Sequence, residues 1–377
     1  MKDQKLKIAI VSDAIYPYNK GGKEKRIFEI STKLSQSGHD VHIYCMKWWK
    51  GKENRIENGV SLHAISRYYP LYSGQRRSVK QSIMFALSCF KLLKEDFDII
   101  DVDHMPHLVL FPLKIVSLLK GKKLYATWNE VWGREYWVKY MGITGNIAYI
   151  IEWLSARLPD EIISISEHTK KKLQKDLKIK SHITVVPNGI NLSEIRKVKL
   201  SKIKSDVIFA GRLLSHKNVD YLISSIEILK RTKPDIKCLV IGKGPEEKKL
   251  KALVKKIGLE KNVIFHDFLK NQSDLYSLMK SSKVFAFPST REGFGIVALE
   301  ANASGIPVIT IQHKDNATKD LIKHGENGYV VGLSSNSIAV SINKYISVNT
   351  TKSDYVKFIK NYRWEYISAK IEEVYGV

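Results

Sequence analysis

Two carboxylates and two cations in the second half of the chain have the types and spacing to handle a charged, hydroxyl-rich ligand. Glu292 lies in a turn-rich stretch, and Glu300 follows eight positions later. That is close to two helical turns, so both carboxylates can face one cleft at different depths. Between them, Gly293-Phe294-Gly295 lets the backbone come close to a ligand. The helix that starts around Gly295 and Ile296 offers unpaired N–H groups to an anion. Upstream, Gly211-Arg212 follows the apolar run DVIFA, and Lys217-Asn218 opens the next helical stretch. An exposed loop Glu, a solvated helix Glu and two surface cations would account for the same residues without chemistry.

The first half offers a looser set. His104 closes the strand-like DIIDVD, at the end where α/β sheets open their crevices. Asp101 and Asp103 share one face of that strand, so metal chelation is geometrically allowed. Gly21-Gly22 precedes a helix and can turn backbone N–H groups toward an anion, with Lys23, Lys25 and Arg26 adding charge. It is not a G-x-G-x-x-G fingerprint, which removes support for a nicotinamide site. In WNEVWGREYWVKY, the flat faces of Trp128 and Trp132 beside Glu130 suit sugar rings, a lipid interface or ordinary packing alike. Gly242 opens the turn Gly242-Lys243-Gly244-Pro245 after another strand, where backbone can approach a nucleotide.

These residues need elements to hold them. VFAF, from Val284, reads as a strand buried on both faces; Pro288 to Gly293 reads as a loop, Gly295 to Ser304 as a helix, and VIT as the next strand. The same rhythm runs along the chain. Strands are predicted at Lys7–Ser12, Val41–Cys45, Val60–Ile65, Asp98–Asp103, Leu124–Thr127 and Ile162–Ser166. A second series falls at Val207–Ala210, Cys238–Ile241, Val263–His266, Val284–Phe287, Val308–Ile311 and Tyr329–Val331. Helical or turn segments separate them, which implies α/β doubly wound parallel sheets. The aromatic, basic RYYPLYSGQRRSVK reads as a surface excursion or an acceptor loop. The predicted division is 1–187 and 188–360, meeting at the Pro187-Asn188-Gly189 turn. A last helix within 361–377 is expected to pack back on the first domain.

Glu-Gly-Phe-Gly, with a second Glu eight residues after the first, resembles the signature of family 4 glycosyltransferases with the GT-B fold, two Rossmann-like domains facing a cleft. The resemblance covers essentially the whole chain and is stronger in the second half. It implies retaining transfer of a sugar from a nucleotide diphosphate sugar, UDP or GDP foremost, to a hydroxyl. Glu292 would contact the donor sugar together with Gly293, Phe294, Gly295 and Ile296, and Glu300 the ribose. Arg212 and Lys217 would grip the diphosphate, and Gly21, Gly22 and Gly242 would border the donor. His104 would lie beside the anomeric carbon, and Trp128, Glu130 and Trp132 near the acceptor. Two fixed cations and helix N-termini can hold a leaving diphosphate without a metal, so neither metal nor resident cofactor is expected. His216, where an acid is common, departs from the pattern.

Composition bounds the rest. The 377 residues exceed one ordinary core, and 44% hydrophobic with 27% charged residues describes a globular chain. Cys45, Cys89 and Cys238 lie in apolar contexts without metal-binding or disulfide spacing. No leader or spanning segment is visible, so a cytoplasmic protein is expected. Lys and Arg number 62 against 38 acids, for a net charge of +24. Such a field attracts polyanions. Without a zinc-finger, RNP or helix-turn-helix pattern, an anionic membrane surface fits better than specific nucleic acid. The alternatives are a non-catalytic basic module that binds polyanions or membranes, and another GT-B enzyme such as a sugar-nucleotide epimerase or a phosphorylase.

Overall fold

The computed structural model describes residues 5–74, 76–267, 269, 271–347, 355 and 357–377. The chain divides into two compact units, Met1–Gly189 with Trp364–Val377, and Ile190–Arg363.

The first unit is built on an eight-stranded sheet. Its strands lie in the order Ile183–Val185, Glu161–Ser164, Lys123–Trp128, Ile99–Asp103, Lys7–Val11, Asp40–Met46, Val60–Ser66 and Asn54–Glu57. All neighbours are parallel except the last pair. The inner strands are apolar nearly throughout because both faces are covered. On one face Ala9, Val11, Ile100, Val102 and Ala126 meet Phe85, Leu110, Leu113 and Leu173 from three helices. Elsewhere in the unit the helix Gly22–Gln36 packs on the last helix, Trp364–Tyr375.

The second unit carries six strands, all parallel, in the order Val263–His266, Cys238–Ile241, Ser205–Ala210, Ser282–Phe287, Val308–Ile311 and Gly328–Val331. The helices Val219–Lys230 and Ser335–Ile346 pack against each other beside it.

Both sheets reverse direction at one place. Lys7–Val11 lies between Asp40–Met46, its successor, and Ile99–Asp103. Ser205–Ala210 lies between Cys238–Ile241, its successor, and Ser282–Phe287. Loops leaving the carboxyl ends of such strand pairs diverge and leave a crevice.

Three features depart from the predicted elements. Asn54–Glu57 forms a hairpin with Val60–Ser66 through Asn58 and Gly59, at φ 50° and 80°. The Asn-Gly signal for such a turn was overlooked. Within 67–80, Tyr72–Ser73 pairs with Arg76–Arg77. Ile183–Val185 is an added edge strand. The three cysteines are free and buried. Among the described residues no helix is long and apolar enough to cross a membrane.

Candidate active site

In the second unit, the loops at the switch point are braced to one another. After Ser205–Ala210, Gly211 N–H donates to Ile241 O at 3.0 Å, and Leu213 N–H to Lys243 O at 2.9 Å. Arg212, exposed, lies between these two anchors. Lys217 ends a single 3-10 turn, Ser215–Lys217. Asn218 follows in the left-handed region at φ 49°, a conformation Asn tolerates better than most residues. Its Nδ2 donates to Pro288 O at 2.9 Å and to His216 O at 3.0 Å. Thr290 N–H adds a bond to His216 O at 2.9 Å. The loop carrying Lys217 and the loop carrying Glu292 are thus one rigid assembly.

Across that brace Lys217 Nζ forms an ion pair with Glu292 Oε1. The ammonium also lies 4.7 Å from the Phe287 ring centroid, within cation–π range. Glu292 belongs to the two-residue strand Arg291–Glu292, paired with Asp315–Asn316. Gly293 leads to Phe294, whose ring is 5% exposed and packs 6.1 Å from Tyr362. The Phe294 side chain is therefore an anchor, and only its backbone borders the loop. Gly295 caps the helix Ile296–Ala303 at φ 94°, and no side chain caps it. A Cβ on Gly295 would sit 2.1 Å from Thr318 Oγ1. Glycine is required there by both conformation and space.

Glu300 is 5% exposed. Its Oε1 accepts from Gln272 Nε2 and from Tyr276 Oη, each at 3.0 Å. Burial, then the Glu300 charge, push the Tyr276 phenol far up, so it stays a donor. Gln272 and Tyr276, one turn apart on Gln272–Lys280, orient this carboxylate and escaped the sequence analysis. An i, i+4 pair of polar side chains was their only signal. Thr318 escaped as well; its buried Oγ1 makes no hydrogen bond among the described residues. The Gly242 amide is engaged, donating to His266 O at 2.9 Å. Gly242 thus shapes the turn, and its N–H continues the sheet's bonding.

In the first unit the switch point is dominated by Asp13, which is fully buried. Lys23 Nζ bonds its Oδ1 at 2.9 Å, and Arg77 Nη2 its Oδ2 at 2.7 Å. Burial pushes the Asp13 carboxyl up, but Lys23 and Arg77 outweigh it and hold the acid below its ordinary range. Lys23 also reaches Asp103 Oδ1 at 3.2 Å and Met105 O at 3.0 Å. The charge expected beside Gly21-Gly22 is thus consumed internally. Lys25 pairs with Glu29 at 2.7 Å, and Arg26 bonds Pro187 O at 2.7 Å. Gly21 and Gly22 do open the helix, and the Glu24 carboxylate folds back over Gly21. A Cβ on Gly21 would lie 2.3 Å from Glu24 Oε2, whereas Gly22 faces open space.

Asp103 accepts from Asn129 Nδ2 at 2.6 Å and from Met105 N–H at 2.9 Å. Asp101 accepts from Tyr375 Oη at 2.6 Å. Among the described residues no three His, Cys, Asp or Glu side chains form a group that could hold a metal. His104 is 1% exposed and stacks on Trp128 at 4.9 Å. Burial pulls its pKa down, so the ring is neutral. Its Nδ1 lies 3.2 Å from Thr127 O, and its Nε2 makes no hydrogen bond among the described residues.

Trp128 is a correction. It is the last residue of a strand, fully buried under His104, and presents no face to an acceptor. Trp132 and Glu130 are half-buried, and Trp132 Nε1 donates to Glu130 Oε1 at 2.6 Å. Their loop is fixed by the buried Glu152, which accepts from Trp132 N–H, Gly133 N–H and Trp137 Nε1 at 2.8 to 2.9 Å.

Comparison with known proteins agrees with this geometry. The family model for glycosyl transferases group 1 matches residues 192–363, and that for glycosyltransferase family 4 matches 20–194. An uncharacterized glycosyltransferase of Haemophilus influenzae is 30% identical over 315 residues, 82% of each chain. Among solved structures, sucrose-phosphate synthase from Thermosynechococcus elongatus superposes with TM-score 0.79 at 17% identity, over 98% of both chains. Anabaena HepE, solved with UDP and glucose, superposes with TM-score 0.74 at 19% identity, over 98% of this chain and 99% of its own. Two doubly wound units, braced acidic and basic loops and these matches lead to one conclusion: the chain belongs to the family 4 glycosyltransferases with the GT-B fold.

Proposed function

We propose that the protein is a retaining hexosyltransferase that moves a sugar from a UDP- or GDP-sugar to a hydroxyl of a lipid-linked or cell-surface glycan. The reading is carried by the Lys217–Glu292 pair, held between two cross-braced loops at the second unit's switch point. Arg212 and Lys217 take the charge that grows on the departing diphosphate, a role suited to cations whose supports are already in place. In the resting protein Lys217 is held by Glu292, which keeps it at the site. Glu292 and the backbone from Gly293 to Ile296 orient the sugar, and the uncapped helix start at Ile296 adds N–H donors. Glu300, fixed by Gln272 and Tyr276, accepts from the ribose hydroxyls. That Anabaena HepE was solved with UDP and glucose supports a nucleotide-sugar donor.

His104 would meet the donor sugar with an uncharged ring whose Nε2 makes no hydrogen bond among the described residues. Glu130 and Trp132 border the acceptor. Retention follows when the acceptor oxygen enters on the face that the diphosphate leaves, with a diphosphate oxygen taking its proton. Resident cofactor and metal have no part in this scheme, because the two cations neutralise the leaving group. The excess of basic residues suits an acceptor presented at the anionic cytoplasmic face of a membrane.

The test is a thermal-shift series with UDP-, GDP-, ADP- and TDP-sugars, with and without EDTA. A ligand of the folded form raises the melting temperature. UDP- or GDP-sugar is expected to do so with or without chelator, and Glu300→Ala is expected to abolish the shift. Absence of any shift with all four would reject the donor assignment. Loss of turnover in EDTA would transfer charge neutralisation to a metal.

A further inference from the structure

The helices covering one face of the first unit's sheet carry apolar residues on their outer side as well as their inner side. On Val79–Ser88, Phe85 and Ala86 are buried in the core, while Val79, Ile83 and Leu87 are exposed. Their spacing of four puts the exposed three on one stripe. On Gly145–Ser155, Ile147, Ile150 and Leu154 form a second stripe at i, i+3, i+7, preceded by Ile143 at 88% exposure. On Leu110–Lys120, Leu118 and Leu119 are 68% and 70% exposed. Val79–Ser88 packs against Leu110–Lys120, and both Val79–Ser88 and Gly145–Ser155 pack against His107–Val109, which leads into Leu110–Lys120. Scattered exposed apolar residues are ordinary, but two stripes and a leucine pair on helices gathered around His107–Val109 mark an interaction surface.

Charge identifies the partner. From Arg76 to Lys94 the chain holds Arg76, Arg77, Lys80, Lys91 and Lys94 and no acid. From Leu110 to Lys123 it holds Lys114, Lys120, Lys122 and Lys123, again without an acid. Lys80, Lys91, Lys94 and Lys123 are exposed. A two-fold self-association through this face would set lysine against lysine, because such an interface is self-complementary. A bilayer with anionic headgroups satisfies both features, taking the apolar stripes into the acyl boundary and the lysines at the phosphates.

We infer that the outer face of Val79–Ser88, Leu110–Lys120 and Gly145–Ser155 docks the first unit onto an anionic lipid bilayer. This extends the membrane-surface acceptor proposed above but is read out without nucleotide or turnover, so the two stand or fall separately. The experiment is flotation of the full chain with vesicles of phosphatidylcholine, with and without about one third phosphatidylglycerol. Binding is expected only to the anionic vesicles, weakening as salt rises.

Two variants test the face: Ile83→Glu with Leu87→Glu, and Ile147→Glu with Ile150→Glu. Each is expected to lower the partition coefficient at least about tenfold. Val340→Glu, an exposed apolar position in the second unit, should leave it unchanged. All sites are on the surface, and unchanged melting temperatures would show that the variants fold. Undiminished binding in both face variants would overturn the inference. So would light scattering that shows a dimer which the same variants dissociate, since the face would then belong to a second copy. Binding that survives while donor-dependent transfer is absent would reject the proposed reaction and leave the docking face intact.

Discussion

At the second unit's switch point the charged residues come from short loops directly after two strands, and their braces are mostly backbone carbonyls. Lys217 and Glu292 pair with each other, and the Asn218 amide ties their loops together. At the first unit's switch point Asp13 gathers Lys23, Arg77 and Gln81, which lie 10, 64 and 68 positions away. There the cations are spent on buried acids, and the aromatic rings are packed on one another. The difference concerns what the charges are for. A cation held beside a single carboxylate on a loop can be handed to a ligand. A carboxylate wholly enclosed by two cations and an amide is a structural knot, and pulling out one strand leaves an uncompensated buried charge.

Lys217→Ala breaks the comparison at its most sensitive point. If the lysine meets charge that grows during transfer, turnover should fall about 100- to 1,000-fold while donor affinity changes far less. Steady-state kinetics with saturating donor, with thermal melting as a control for folding, would measure this. An equal loss in kcat/KM and in donor binding, with kcat preserved, would make Lys217 a plain binding residue.

The next test falls on the first unit. Burial pushes the Glu152 carboxyl up to about 7, although three N–H groups pull the other way. An acid whose pKa rises on folding binds more protons folded than unfolded, between its unfolded value near 4.5 and about 7. Its contribution is full below that window and is lost as pH rises through it. The stability of the wild type relative to Glu152→Gln should therefore fall by on the order of 3 kcal/mol from about pH 4.5 to pH 7, then level off. Urea denaturation of both proteins across that range would show it. A difference independent of pH would mean the carboxylate is ionised throughout.

How much was legible follows the same division. The elements that carry the second unit's candidate residues could be read because those residues are consecutive: Glu292 to Glu300 is one short strand, a loop and one helix, and Gly211 to Asn218 is one loop with a single 3-10 turn. Its sheet was legible because parallel strands buried on both faces are apolar runs, such as Cys238–Ile241 and Val308–Ile311. The knot around Asp13 was not legible, because tertiary packing alone brings Arg77 and Gln81 to it. Trp128 misled for a related reason. Its neighbours suggested a loop, and only its pairing with Glu161–Ser164 makes it the end of a strand. Lys23, Lys25 and Arg26 look like free charge in sequence, since nothing local announces the acids and carbonyls that meet them. The Asn58-Gly59 hairpin was available and was missed.

Tyr375→Phe probes how the last helix is held. The phenol donates to Asp101 Oδ2 at 2.6 Å, and burial already pushes that carboxyl up to about 6. Removing the donor should cost about 1–2 kcal/mol of stability and raise the Asp101 pKa further. Turnover at saturating donor should stay within about twofold. A large kinetic defect without loss of stability would place Tyr375 in the chemistry instead.

The smallest effect sharpens the contrast with that tyrosine. Tyr276 also donates a hydrogen bond to a buried carboxylate, Glu300, at 3.0 Å. Glu300, however, is proposed to face a ligand, and Gln272 holds the same oxygen at 3.0 Å. Tyr276→Phe should therefore leave the fold nearly as stable and loosen the carboxylate's aim. Nucleotide affinity is expected to drop by about 1 kcal/mol, roughly fivefold, the usual net worth of one hydrogen bond. Calorimetric titration with the UDP- or GDP-sugar that gives the thermal shift would measure it, alongside urea midpoints for Tyr276→Phe and Tyr375→Phe. If Tyr276→Phe lowered stability as much as Tyr375→Phe and left affinity untouched, Glu300 would be a structural acid like Asp101, and the ribose contact would have to be sought elsewhere on the second unit.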